Sequence, residues 1–564
     1  METAPQAVDW QELVARKRSE CQAKIPHEWM VTVDQLQVSP RLLESGLVRR
    51  CGLLSEIELD ITENYSAAQL LAKLAAGHIT SLAVTTAFCK RAAIAQQATS
   101  CLTETFFPQA LDRARFLDEY REREGKPIGP LHGLPVSLKD SFCVEGIQST
   151  VGYVSFLNHE PAKTNSSLVA LLLDLGAVLY VKTNIPQTMM ASNFPHTSPT
   201  QRNCDSDNNI FGRTLNPHNT SWTAGGSTGG EGALIAFRGS VLGVGTDIAG
   251  SIRIPALCCG VYGFKPTTNR IPFGGQVSGA MEGLPGIVPA AGPLAHSVAD
   301  LKLFMNSVVS DGHAWKYDET AVAVPWNTGA QVAGNQNGSL VIGVLSEDKQ
   351  LPLHPPVKRA LARAVDALTR AGHLIVQIDN QNKEHLSVAY ASRLGFQYFI
   401  YGPHEDHIAS SGEPPVPSVA KAASPMFTGP FPIEPGLEPF QTIQNLHVAR
   451  KQVSDAWRKE WVDQKLDVIL APGAQNTAVT YDTYGWPPYT LLWNLLDYPA
   501  CIIPFGKASK ELDPEKFETG DDVQPDYIPE ELDGAPCAIQ IVTPRFQDEK
   551  CLAAAEIIEK AIRM

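Results

Sequence analysis

The stretch at residues 223–268 constrains this chain most, because it places many glycines and three serines between short apolar runs. Five glycines surround Ser227, and glycine tolerates backbone angles and close contacts that a side chain forbids. Further along, Ser251 follows Ala249 and Gly250, so its hydroxyl is accessible and several backbone N–H groups can converge nearby. Converging donors stabilise the negative charge that develops in acyl transfer. The stretch therefore predicts an active site.

Other motifs with clustered glycines fit this stretch less well. It lacks the lysine of a phosphate-binding P-loop and the glycine spacing of a dinucleotide-binding turn. Gly225, Ser227 and Gly229 do match the nucleophile elbow of α/β-hydrolases, but that motif needs a buried strand just before the serine. Residues 216–224 read as a loop instead. An esterase of the α/β-hydrolase type, with Ser227 as nucleophile, stays an alternative.

Composition is that of a large globular protein. Of the 564 residues, 44% are hydrophobic and 19% charged, and the net charge of -14 argues against nucleic acid as a partner. The eleven cysteines show no spacing typical of zinc or a redox pair. The chain start lacks the apolar core of a signal peptide, and no apolar run reaches about 18 residues. We expect a cytoplasmic protein without an integral membrane segment, whose first helix, at residues 10–25, packs on the protein rather than on a membrane.

Hydrophobic periodicity predicts alternating helices and strands. Ser66 opens a capping-box pattern, apolar residues follow at helical spacing, and Gly77 ends the helix. A second helix is predicted at residues 81–97. From residue 164 onward helical segments alternate with apolar strands, an order typical of α/β proteins. Residues 383–439 are richer in Gly, Pro, Ser and aromatics and show no strong period, so this segment is predicted to be irregular.

Lys139 is the second candidate for chemistry. Glycine and proline turns lead into the short apolar element at residues 134–138, which ends directly at this lysine. A lysine delivered by a buried strand is a candidate general base, because burial disfavours its charged form. The alternative is a structural ion pair with the adjacent Asp140.

Four motifs together resemble the amidase signature family: GGSTGGEGALIA, GVGTDIAGSIRIPA, GLPVSLKD and GFKPT. The likeness extends from about Ile57 to the C-terminus and is strongest to the fungal acetamidase or general amidase branch. The resemblance implies an α/β fold with a large mixed central sheet covered by helices. It also implies one catalytic domain, residues 57–564, preceded by an N-terminal helical extension, residues 1–56.

The family resemblance also implies residue roles. The family's Ser-cisSer-Lys triad falls on Ser251 as nucleophile, Ser227 as bridging serine and Lys139 as base, and the 24-residue interval between the two serines agrees with the family. The substrate and oxyanion positions carried over are Met189, Ser227, and the backbone N–H groups of Ile248, Ala249, Gly250 and Ser251. Two departures, Thr228 for the family's serine and Ala249 for its glycine, narrow the space around the oxyanion site.

The chemistry of such a triad can be argued from the residues. A serine must lose its proton to attack an amide, and the leaving nitrogen must gain one. Lysine can take that proton only when neutral, which requires lowering its pKa from about 10.4 to near 7 by burial. A hydroxyl between lysine and nucleophile can pass the proton both ways, because it donates and accepts. No metal or organic cofactor is needed.

We therefore expect an amidohydrolase that converts a small or medium carboxamide into a carboxylic acid and ammonia or an amine. The alternatives are the esterase above and an amidotransferase subunit that releases ammonia from glutamine. Acyl specificity is predicted to lie in two loops, residues 193–217 and 383–439. The expected partner is a small-molecule amide, and a homodimer is possible.

Overall fold

The computed structural model describes residues 9–37, 39–190, 204–278, 283, 286–310, 313–330, 332, 338–400, 407–420, 432–433, 436–518 and 524–564. Of the two predicted specificity loops, residues 193–203, 401–406, 421–431 and 434–435 therefore lie outside the described residues.

A single mixed sheet runs through the described part of the chain, with eleven strands in the order β1-β3-β2-β4-β6-β5-β10-β11-β9-β7-β8. Strand β2 lies between β3 and β4 and is parallel to both, whereas β4 is antiparallel to β6. The strands in chain order are β1 Leu102–Thr105, β2 Pro135–Lys139, β3 Val178–Thr183, β4 Leu242–Asp247, β5 Tyr262–Lys265, β6 Ala290–Ala295, β7 Val341–Val344, β8 Leu374–Gln377, β9 Val468–Pro472, β10 Ala500–Lys507 and β11 Pro536–Val542.

Helices cover this sheet and confirm the predicted α/β architecture. The described residues contain nineteen α-helices: α1 Trp10–Ala23, α2 Val33–Leu36, α3 Leu47–Arg50, α4 Glu56–Glu63, α5 Ala67–Ala76, α6 Ser81–Thr99, α7 Phe107–Glu124, α8 Ser167–Asp174, α9 Gly229–Ala236, α10 Arg253–Cys258, α11 Val298–Val309, α12 Pro355–Arg370, α13 Val388–Ile400, α14 His407–Ser411, α15 Pro417–Ala420, α16 Pro439–Asp463, α17 Pro488–Leu495, α18 Pro529–Leu532 and α19 Asp548–Arg563. Short 3-10 helices lie at His27–Trp29, Val154–Asn158, Gln187–Met190, His313–Lys316 and Glu384–Leu386.

Local signals placed several helices correctly. Helix α5 begins after Ser66, whose side chain accepts from the N–H of Gln69 in a capping box, and it ends at Gly77 in the left-handed region. The prediction of an irregular segment at residues 383–439 was wrong in part, because the 13-residue helix α13 lies within it. Helix α13 packs against α16 and α17, and such tertiary contacts stabilise a helix whose own pattern is weak.

The core lies on both faces of the sheet. One large cluster of buried side chains joins the N-terminal helices to the central strands, and a second joins β9 and the first residue of β10 to α13, α16 and α17. No helix in the described ranges combines the length and the apolar character that crossing a bilayer requires.

Candidate active site

The glycine-rich segment forms a tight loop immediately before α9. The peptide bond between Gly226 and Ser227 is cis, and Gly225 has a φ of +77°. The hydroxyl of Ser206 donates to the carbonyl of Gly225 at 2.9 Å and accepts from the N–H of Gly229 at 3.0 Å. Ser206 therefore connects the two ends of the loop that carries Ser227.

Close packing explains why two of these positions need glycine. A Cβ at Gly229 would lie 2.4 Å from the Ser206 hydroxyl oxygen, and one at Gly230 would lie 2.3 Å from the backbone nitrogen of Asn184. The first turn of α9 thus packs directly on neighbouring backbone. The glycine density that marked this stretch in the sequence reflects that close approach.

Lys139 is the last residue of β2, and the topology brings it to this loop. Because β2 and β4 are parallel and Leu138 lies opposite Val244, the carboxyl ends of the two strands meet at one edge. The Lys139 amine donates to the hydroxyl of Ser227 at 2.6 Å and to that of Thr246 on β4 at 2.7 Å. Burial lowers the pKa of Lys139 to about 7, although the nearby Asp247 carboxylate acts in the opposite direction.

The alternative role of Lys139, an ion pair with Asp140, is absent from the described contacts. The Asp140 carboxylate lies 3.4 Å from the amine of Lys182, and it accepts from the hydroxyl of Thr103 and the N–H groups of Thr150 and Val151. Asp140 therefore has its own set of partners. Asp140 follows the end of β2, and these partners engage its carboxylate in place of the Lys139 amine.

Ser251 lies in the turn between β4 and α10 and is buried, with 6% of its surface exposed. Its carbonyl accepts from the N–H of Thr228 at 3.2 Å, so the two serine-bearing segments are in contact. The structure thus brings together the three residues that the resemblance selected. Lys139 donates a hydrogen bond to Ser227, and Thr228, the next residue in the chain, donates one to Ser251.

A buried ion pair anchors this turn. Arg253 makes a two-point contact with Asp247, at 2.9 and 3.0 Å, and it also bonds the side-chain oxygens of Asn494 and Gln540. Burial alone would raise the pKa of Asp247, but the charge and hydrogen bonds of Arg253 outweigh it and hold that pKa at about 2. The carboxylate is therefore charged and fixes the ends of β4 and α10 relative to each other.

The backbone donors of the turn are not equivalent. The N–H of Gly250 donates to the Asp247 carboxylate at 2.8 Å, so it is already engaged. Among the described residues, no acceptor is bonded to the N–H groups of Ile248, Ala249 or Ser251. Three of the four predicted oxyanion donors are thus available in this conformation.

Met189 lies in the 3-10 turn at Gln187–Met190 and has a φ of +49°. It packs on a small apolar cluster that includes Tyr153, Ile185 and Val416. This places Met189 beside residues 407–420, which belong to the second predicted specificity segment, residues 383–439. Its contact with substrate stays a prediction.

Sequence reasoning missed Thr246 and Ser206. Each is an ordinary hydroxyl residue in its local sequence, and only the pairing of β2 with β4 and the folding of residues 204–214 against the glycine loop give them their contacts. The esterase alternative does not fit the backbone, because residues 216–224 form only isolated bridges, Leu215–Thr223 and Trp222–Thr480, in place of the strand that an elbow needs.

Comparison with known proteins identifies the family of this chain. The model of the Amidase family matches residues 83–552. This chain belongs to the amidase signature family. An amidase of Gibberella moniliformis is 40% identical over 562 residues, with 99% of both chains covered. An acetamidase of Emericella nidulans is 38% identical over 572 residues, with 98% of both chains covered.

Solved structures show the same fold. A structure of fatty acid amide hydrolase has a TM-score of 0.81 at 30% identity and covers 99% of this chain and 96% of its own. A bacterial aryl acylamidase has a TM-score of 0.65 at 23% identity, covering 88% of this chain and 96% of its own, and shares the fold. The protein is an amidase signature enzyme, a hydrolase of amides.

Proposed function

We propose that this amidase hydrolyses a small or medium carboxamide through an acyl-enzyme on Ser251, with Ser227 and Lys139 as its proton relay. The observation that carries the proposal is the 2.6 Å contact between the amine of Lys139 and the hydroxyl of Ser227, in surroundings that lower the pKa of the lysine to about 7. A neutral amine held on a hydroxyl is what a relay needs at neutral pH.

In the acylation step the Ser251 oxygen bonds to the amide carbon while its proton moves to Ser227, whose own proton moves to Lys139. The negative charge on the former carbonyl oxygen is stabilised by the N–H groups of Ile248, Ala249 and Ser251. The C–N bond then breaks as the proton returns through Ser227 to the leaving nitrogen. Water repeats the sequence on the acyl-enzyme and releases the acid.

The relatives support the choice of substrate class. Proteins similar over nearly the whole chain are named acetamidase and amidase, which favours short carboxamides. The homodimer, the cytoplasmic location and the boundary near residue 57 stay predictions from the sequence.

The proposal is tested by labelling and by assay. A fluorophosphonate should modify Ser251, Ser251→Ala should abolish both labelling and turnover, and an adduct on Ser227 would contradict the assignment. Ammonia release should be measured on a panel of short primary amides, anilides and glutamine. A preference for glutamine that needs co-purified subunits would favour the amidotransferase alternative.

The relay itself is tested with a matched amide and activated ester that share an acyl group. An ester oxygen leaves with less help from a proton than an amide nitrogen does, so Ser227→Ala should reduce kcat/KM more for the amide. Lys139→Ala should show the same bias, and the double variant should lose much less than the two separate losses combined, because both residues serve one path. Equal losses on both substrates would make Ser227 a structural loop residue.

A further inference from the structure

One peptide group beside the proposed nucleophile is held from both sides. Its carbonyl, that of Ala249, accepts from the hydroxyl of Thr490 at 2.6 Å, and its N–H, that of Gly250, donates to Asp247 at 2.8 Å. Thr490 lies on α17, whereas Asp247 ends β4. Two separate elements therefore fix the plane of a single peptide in the turn that leads to Ser251.

The position of this peptide makes its orientation important. It lies between the peptides that carry the N–H groups of Ala249 and Ser251, two of the three donors available for an oxyanion. The angle between those donors depends on the torsions on either side of the middle peptide. If the Ala249–Gly250 peptide rotates and the neighbouring torsions do not fully compensate, at least one of these two N–H groups no longer points at the oxyanion.

Local sequence does not fix the plane by itself. Gly250 has a φ of +134°, and glycine imposes little steric restriction on this torsion. A peptide followed by glycine rotates more readily than one between two side-chain-bearing residues, so external contacts must select the orientation. Asp247 supplies one such contact, but its carboxylate is also shared with Arg253 and Asn494.

Thr490 supplies the second contact, a hydrogen bond from its hydroxyl to the carbonyl of Ala249. It is fully buried, and a Cβ at Gly250 would lie 2.3 Å from its hydroxyl oxygen, so the side chain packs directly on the turn. Its other acceptor, the carbonyl of Pro487 just before its own helix, lies farther away at 3.1 Å. A hydroxyl has one proton, and the shorter contact to Ala249 is the better hydrogen bond.

We propose that Thr490 is a positioning residue for the oxyanion site: its hydroxyl holds the Ala249–Gly250 peptide and thereby aims the N–H groups of Ala249 and Ser251. Thr490 acts through the backbone and needs no contact with substrate. The inference rests on the proposed function, because it assigns a support to the oxyanion site of that mechanism.

The test compares Thr490→Val, which keeps the shape and removes the hydroxyl, with Thr490→Ser, which keeps the hydroxyl. Thr490→Val should lower kcat about tenfold or more with little change in KM, since an oxyanion site acts on the transition state. An aldehyde analogue of the substrate, which forms an oxyanion adduct with a serine, should bind more weakly by a similar factor. Thr490→Ser should keep most of the wild-type kcat and most of the affinity for the aldehyde.

A matched control separates this role from general stability. Thr99 is also fully buried and donates its hydroxyl to a backbone carbonyl, that of Ala95 at 2.7 Å, in α6. Thr99→Val should lower the melting temperature without lowering kcat or weakening the aldehyde. If Thr490→Val does not fold, Thr490→Ala carries the same expectation.

Two results would overturn the inference. One is a Thr490→Val enzyme whose kcat equals that of Thr99→Val, and the other is a loss of kcat with unchanged affinity for the aldehyde. Failure of the proposed function looks different, because the wild-type enzyme would then take up no fluorophosphonate on Ser251.

Discussion

At the scale of single residues, the proposed mechanism makes activity depend on the protonation state of Lys139. The relay needs the neutral amine, and burial places its pKa at about 7, so the neutral fraction rises as the pH rises through that value. We expect kcat/KM to fall about tenfold per pH unit well below pH 7 and to level off above it. The measurement is a pH profile on an amide that does not ionise in the range. In Lys139→Ala the residual rate should lack this acidic limb, and a limb that persists unchanged would assign the titration to another group.

Thr246 offers a finer test of the same residue. Its hydroxyl, 2.7 Å from the Lys139 amine, stabilises an ammonium more than a neutral amine, because hydrogen bonds to charged groups are stronger. Thr246→Val should therefore move the acidic limb of the pH profile to lower pH, by about one unit. Thr246→Ser should leave the limb in place. A shift to higher pH in the valine variant would show that the hydroxyl instead donates to the neutral amine.

Whether the sequence could predict a site residue depends on whether that residue stands in a recognisable motif or acquires its role from contacts distant in the chain. Ser227, Ser251 and Lys139 stand in motifs, so the family resemblance selected them before any contact was known. Thr246 and Thr490 contact neighbours that strand pairing or helix packing brings close. Thr246 stands within the motif GVGTDIAGSIRIPA, but the motif does not show that β4 pairs with the strand that carries Lys139, and Thr490 stands in no motif. Gly250 shows the limit most clearly, since its motif predicted a free N–H that the Asp247 carboxylate in fact binds.

At the scale of elements, the hydroxyl of Ser206 connects the two ends of the loop that carries Ser227. Ser206→Ala would leave the carbonyl of Gly225 and the N–H of Gly229 without their buried partner, at a cost of about 1–3 kcal/mol in the free energy of unfolding. Urea unfolding measures this, and amide turnover should fall as the loop loosens. Ser307→Ala is the control, because the Ser307 hydroxyl donates to a carbonyl within its own helix, α11. Equal effects of the two changes would mean that Ser206 does not hold the loop.

Elements with strong local signals were predicted well, and those defined by tertiary contacts were not. The sequence of helix α5 carries the capping residues of both its ends, and β3 begins with the apolar run VLYV. Strand β6, with the sequence AAGPLA, has no β-branched residue and contains a proline, so its place between β4 and β5 could not be read from propensity.

At the scale of the whole molecule, the N-terminal segment is closely packed on the rest of the chain. Helix α1 was predicted to pack on the protein, and it lies against β1, an edge strand of the sheet, where Cys21 contacts the carbonyl of Thr103. Arg18 of α1 donates to the carbonyl of Ile210 at 2.6 Å. Ile210 belongs to residues 204–214, the segment that also carries Ser206. Covering an exposed strand edge protects it from pairing with other chains.

An ion pair joins this helix to the sheet. Lys17 of α1 and Lys24, the residue directly after this helix, both bind the carboxylate of Glu104 on β1, which is 2% exposed. Lys17 is 5% exposed, and its other acidic contact is the half-exposed Glu20 at 3.4 Å. Lys17 and Glu104 lie 87 positions apart in the sequence, so no local pattern could have predicted their contact.

The charges of this pair predict an asymmetry in stability. Lys17→Met leaves Glu104 paired with Lys24 and should cost little, whereas Glu104→Leu leaves the buried Lys17 amine without its main counter-charge and should cost about 3 kcal/mol. The double variant should recover part of that loss, because the uncompensated charge is gone. Urea unfolding at pH 7 measures all three, with Lys451→Met, in an exposed pair on α16, as a control that should stay within about 0.5 kcal/mol of wild type. Equal costs for the two single changes, or losses that simply add, would show that the apolar contacts of Leu13 and Val14 hold α1 in place instead.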